Sequence, residues 1–94
     1  MYAKQTKVIN RTGLHARPAS NFVIEAKKFS SIITVKNMTG NNEPVNAKSI
    51  SRILADGITQ GSKIEIAADG EDEREAVDSL VALVDTGFGE KCEY

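Results

Sequence analysis

Ninety-four residues suffice for one small domain and fall short of two, since domains run to about 100–150 residues. Hydrophobic residues make up 40% of the chain and charged residues 27%, which excludes intrinsic disorder and collagen-like composition. With 12 basic against 13 acidic side chains the formal net charge is -1, so no bulk positive field marks a binder of nucleic acid or anionic membrane.

The predicted elements follow in chain order. Ala3 to Ile9 is β-compatible but only half apolar, and Asn10-Arg11-Thr12-Gly13 after it reads as a loop. Beyond Pro18, residues Ala19, Phe22, Val23 and Ala26 form the i, i+3, i+4, i+7 stripe of an amphipathic helix, with Asn21, Glu25 and Lys28 off the stripe. Ile32-Ile33-Thr34-Val35 is β-branched throughout and predicts a second strand. The turn-rich segment Thr39 to Pro44 then leads to a short third strand near Val45, where Pro44 suits an edge or first position. Ile50, Ile53 and Leu54 follow Ser49 at helical spacing until Gly57, a short helix with Ser49 near its N-terminus. Ile64, Ile66 and Ala68 alternate with Lys63, Glu65 and Ala67, the period of a half-buried fourth strand. Asp69 to Glu73 loads acid onto the start of a third helix, whose buried face is Val77, Leu80, Val81 and Val84 and whose end is Gly87. The order βαββαβα, with a hairpin between strands two and three, predicts an α+β fold with helices on one face of an antiparallel sheet. All of it reads as one domain over residues 1–94, with a core at about 3–87 and a tail at 88–94.

Neither repeats nor low-complexity blocks break the chain. Its longest apolar run, Leu80 to Val84, is far short of the roughly 20 residues of a spanning helix. Met1 to Lys7 leads into no apolar secretory core, so the expected compartment is the cytoplasm, without membrane insertion. One cysteine, Cys92, excludes an intramolecular disulfide, and with one histidine it cannot build a thiolate metal site. Neither metal nor cofactor is expected, and the fold must rest on packing.

That histidine, His15, stands just before the first helix, between a permissive Gly13 and a Pro18 suited to a helix's opening turn. Helix N-termini expose unsatisfied N–H groups and carry roughly half a positive charge, so they hold anions and disfavour a protonated imidazole. His15 is therefore expected to stay largely neutral and to titrate below a free imidazole. A neutral ring is nucleophilic, and a phosphoryl group on it would sit among helix N–H donors near the Arg17 guanidinium. Hydrolysis would need an oriented water and a base, and no second histidine or acid stands between Gly13 and Pro18, so a phosphohistidine there would persist. From the residues alone, an anion site and a loop histidine without chemistry both stay open.

Gly13-Leu14-His15-Ala16-Arg17-Pro18-Ala19, followed by Phe22-Val23, Asn46-Ala47-Lys48-Ser49-Ile50 and Gly70-Glu71-Asp72-Glu73, resembles the HPr family over roughly residues 4–84. These are the histidine-containing phosphocarriers of the bacterial phosphoenolpyruvate-dependent sugar phosphotransferase system. The resemblance implies an open-faced β-sandwich, a four-stranded antiparallel sheet with three helices on one face. It implies that enzyme I, charged by phosphoenolpyruvate, phosphorylates His15 on Nδ1. Ala16 and Arg17 then bind the phosphoryl group, which passes to sugar-specific enzyme IIA domains. Such a chain is a shuttle, not a turnover catalyst, and a monomer is the default expectation. Ser49 falls where HPr-like proteins of low-GC Gram-positive bacteria carry a serine modified by an HPr kinase/phosphorylase. The phosphoserine form there resembles a corepressor of a catabolite-control transcription factor, without direct contact to nucleic acid. Ile50, Ser51 and Leu54 take the places of partner-docking residues.

Three places depart from the family pattern. Ser51 stands where a large apolar residue is usual, and Arg52 where glycine or lysine is common, which weakens the docking patch. By spacing alone Ile50, Ile53 and Leu54 read as core, with only part of them exposed. Asn37 to Pro44 is a few residues longer than usual, and Gly87 to Tyr94 is a tail whose glycines oppose continued helix and whose Cys92 is a free thiol. An alternative function is a regulatory protein-binding module in carbon catabolite control that acts through Ser49, but such paralogues lack the active histidine. A small hydrolase lacks a second catalytic group.

Overall fold

Seven elements follow in the expected order in the computed structural model, which describes residues 1–10, 13–14, 16–39 and 43–87. His15, the turn positions 11, 12 and 40–42, and the tail 88–94 with Cys92 lie outside the described residues. The elements are β1 (Tyr2–Lys7), α1 (Ala16–Lys27), β2 (Ile32–Asn37), β3 (Val45–Asn46), α2 (Ile50–Ala55), β4 (Lys63–Asp69) and α3 (Glu73–Asp85). The strands form one antiparallel sheet in the order β1-β4-β2-β3. Pro44 directly precedes β3 on the sheet edge, where a missing N–H breaks no ladder.

Register decides which side chains meet. Ile33 lies opposite Ala68 and Val35 opposite Ile66, so the buried residues of β2 and β4 share one face. Ala19, Phe22, Val23 and Ala26 of α1, Ile53 of α2, and Ala76, Val77, Leu80 and Val84 of α3 join that face in one buried cluster. Each fully buried side chain of the size of Leu or Phe contributes about 1.5–3 kcal/mol, which is how a chain without a disulfide among its described residues holds together. The opposite face, with Ile32 72% exposed beside Thr34, Lys36, Glu65 and Ala67, carries no helix among the described residues. This is the open-faced α+β sandwich that the pattern predicts.

The structure corrects the sequence reading at three points. β1 runs from Tyr2 to Lys7 and not to Ile9, although the Val8 N–H still donates to Ser62 O at 2.9 Å. Its half-apolar character has a cause: Tyr2, Lys4 and Thr6 share the face of Ala68, Ile66 and Ile64, and α3 meets them with acids. The Tyr2 hydroxyl donates to Asp78 at 3.2 Å, Lys4 Nζ pairs with Asp78 at 3.0 Å, and the Thr6 hydroxyl donates to Asp85. As expected, α1 begins directly after position 15, at Ala16, with Pro18 in its first turn, where N–H groups have no partner within the helix and a proline costs nothing. Asp69 ends β4, so the acid before α3 starts beyond it, with Asp72 at the N-cap. Val81 is only half-buried, and Ala76 takes the inner place beside Val77.

Candidate functional site

The loop between β1 and α1 is built on the segment that precedes β4. Gly61 N–H donates to Val8 O at 2.7 Å and Gln60 Nε2 to Ile9 O at 3.0 Å. Asn10 is fully buried and closes the turn that follows: its carbonyl accepts the Gly13 N–H at 3.2 Å, and its Nδ2 donates to Gly13 O at 2.8 Å. Gly13 has φ +65°, a left-handed conformation that an L side chain resists. A Cβ at this position would stand 2.6 Å from Ile58 O and 2.7 Å from Thr59 Cα. Glycine is therefore required twice, for the dihedral and for the contact. Leu14 continues the anchor, its N–H donating to Ile58 O at 3.0 Å and its side chain fully buried.

From this anchored turn the chain passes through His15 into α1, whose first two residues are Ala16 and Arg17. The side chain of Arg17 is exposed, and no hydrogen bond or ion pair holds it to another described residue. The first turn of α1 contains no acid to compete for an anion. The first-turn N–H groups of a helix lack partners within it and form its positive end, and with an exposed guanidinium beside them such a turn has the chemistry that suits an anion. The expectation of a neutral, depressed imidazole concerns a residue outside the described set.

A second helix start lies at Ser49. Its Oγ accepts the Arg52 N–H at 3.4 Å and lies 3.4 Å from Ser51 Oγ, so Ser49 is the N-cap of α2. The approach to that cap is fixed by the turn after α1 and by β3: Lys48 Nζ donates to Phe29 O at 2.7 Å, and the Lys48 N–H donates to Asn46 Oδ1 at 2.9 Å. Of the three apolar residues of α2, Ile53 is fully buried, while Ile50 and Leu54 are 39% and 42% exposed. Ser51 and Arg52 are exposed too. The hydroxyl of Ser49 and the apolar side chains of Ile50 and Leu54 thus lie on a helix packed against α1. Ile24 of α1, 58% exposed, adds an apolar residue that its place off the buried stripe could have flagged.

Sequence reasoning passed over Asn10, reading it as part of a polar loop. The signal was present, since an Asx residue three positions before a glycine is a turn-closing arrangement, but burial of its side chain is a tertiary fact. Among the described residues no group of three or more His, Cys, Asp or Glu side chains could hold a metal ion, and no helix is long and apolar enough to cross a membrane.

Comparison with known proteins adds an independent line. The family model of the PTS HPr component phosphorylation site matches residues 2–86. The phosphocarrier protein HPr of Haemophilus influenzae is 49% identical over 86 residues, covering 92% of this chain and 98% of that protein. The multiphosphoryl transfer protein of the same organism is 48% identical over 81 residues, 86% of this chain but only 16% of that longer protein. Among solved structures, HPr from Thermoanaerobacter tengcongensis superposes with a TM-score of 0.91 at 46% identity, covering 97% of this chain and 99% of that one.

Proposed function

The chain belongs to the HPr family of phosphotransferase-system phosphocarriers, and on that premise we propose that His15 is its phosphoryl acceptor. Enzyme I, charged by phosphoenolpyruvate, is the donor, and sugar-specific enzyme IIA domains receive the group. The observation that carries this reading is positional. The family model covers residues 2–86, and in the sequence the single histidine directly precedes a helix that starts at Ala16 and exposes Arg17 in its first turn; both support the reading. The Nδ1 lone pair attacks phosphorus, the N–P bond forms, and the bond from phosphorus to the donor breaks with its electron pair leaving on the donor. Arg17 and the Ala16 and Arg17 amides neutralise the oxygens in flight, and onward transfer reverses the same step on a new acceptor. No second histidine or acid stands between Gly13 and Pro18 in the sequence to activate a water, which supports a carrier role over turnover catalysis. We assign it to the cytoplasm as a monomer.

Ser49 supports an added regulatory reading. Its hydroxyl caps α2 beside the exposed Ile50, Ser51 and Leu54, so a phosphate there would add up to two negative charges at a helix start that tolerates them. An HPr kinase/phosphorylase and a catabolite-control transcription factor are the partners this reading calls for.

Incubation with enzyme I and phosphoenolpyruvate, followed by mass spectrometry, tests the assignment. One acid-labile phosphate on His15, absent from His15→Ala, is expected. A His15→Ala protein labelled as fully as the original would end the reading. Parallel treatment with ATP and the kinase separates Ser49 chemistry from it.

A further inference from the structure

Asn10 lies outside the run Gly13 to Ala19 that surrounds the proposed acceptor. Asn10 is fully buried, although it follows a polar strand and belongs to a loop. It grips Gly13 with two groups, the carbonyl on the Gly13 N–H and the side-chain Nδ2 on the Gly13 carbonyl. On its other side it faces Gly87, just beyond the C-cap of α3, where an added Cβ would stand 3.8 Å from Asn10 Cβ. The peptide from Gly13 to Leu14 is therefore held from both directions. Asn10 takes its carbonyl and Ile58 takes its N–H at 3.0 Å. Rotation of that peptide swings every atom that follows, and the next residue is His15.

We infer that Asn10 is a positioning residue for phosphoryl transfer, fixing the Gly13–Leu14 peptide from which the imidazole is presented. This rests on the reading of His15 as acceptor. The Asn10 amide touches neither substrate nor phosphorus and acts through the backbone. Two facts separate this role from mere packing. The donor is a side-chain N–H aimed at one carbonyl, a directional bond that an isosteric acceptor cannot replace. The turn it closes also leads directly into the acceptor, where a displacement of about 1 Å can cost on the order of a hundredfold in rate.

The test uses the full chain in the enzyme I assay, with initial rates measured against carrier concentration. Asn10→Asp keeps the size but removes the donor, and Asn10→Ala removes both. Val77→Ala, deep in the core, is the control for stability loss without a change at the loop. At a temperature where all variants are folded by circular dichroism, both Asn10 variants are expected to lose about tenfold or more in maximal rate, with KM within about twofold. Val77→Ala keeps its maximal rate. An Asn10→Asp protein with an unchanged maximal rate would overturn the inference, as would a loss reproduced by Val77→Ala or carried wholly in KM. Labelling of His15→Ala in the same assay would instead sink the assignment of the acceptor, an outcome read from a different sample.

Discussion

Asp72 holds Ser31 across the gap between the start of α3 and the start of β2. Its carboxylate accepts the Ser31 N–H at 3.0 Å and the Ser31 hydroxyl, and it takes the Ser30 N–H at 2.9 Å as well. The Ser31 hydroxyl and then the Ser30 amide pull the carboxyl below its ordinary value. A lowered folded pKa means that the unfolded chain binds the proton more readily. The clamp therefore stabilises fully above the ordinary carboxylate range and is lost as pH falls through the depressed value. The stability difference between the original and Asp72→Asn, read from urea midpoints, is expected to be present at neutral pH and to shrink in acid. A difference that stays constant with pH would show that the charge is not what the three donors recognise.

Gly13→Ala is expected to destabilise the fold by more than about 1–2 kcal/mol, since it sets a side chain in the left-handed region. Contact of its Cβ with Ile58 O at 2.6 Å adds to the strain. Urea unfolding measures the loss. A variant as stable as the original would mean that the turn relaxes away from Ile58.

Arg17→Ala is expected to slow phosphoryl transfer at least tenfold while stability changes by less than about 0.5 kcal/mol, because an exposed side chain without a described partner holds little of the fold together. Transfer rates and unfolding midpoints of the same preparation decide this. Parallel loss of both would make Arg17 a structural residue.

Ser49→Ala removes the cap of α2 and is expected to cost toward the lower end of about 0.5–2 kcal/mol, since the capping bond is long at 3.4 Å. Ser49→Asp keeps an N-cap acceptor and recovers most of it. Both accept phosphate on His15 at near the original rate in the enzyme I assay. If Ser49→Ala lost histidine labelling outright, Ser49 would belong to the transfer site itself.

Much of the architecture was legible because burial repeats with the period of each element. The stripe Ala19, Phe22, Val23 and Ala26 is buried as read, as is the alternation Ile64, Ile66, Ala68. The cap at Ser49 and the stop at Gly57, with φ +66°, are local signals, and the structure bears both out. For Ile50, Ile53 and Leu54 the spacing said only that part would be exposed. Which part depends on how α2 lies on the core, and only Ile53 reaches it. β1 was misjudged at its end because its inner face is polar, and no periodicity marks a strand whose partners are the acids of a helix more than seventy residues away.

By itself the sequence determined the order of elements, most of the faces they bury and the place of one histidine just before a helix start, since these follow from neighbours along the chain. Only the tertiary structure decided the strand order β1-β4-β2-β3, the seating of Gly13 on Ile58, the burial of Asn10 and the reach of Asp72 to Ser31. Each of these joins residues far apart in sequence or depends on a side chain losing its water, and both are set by the packing of the whole chain.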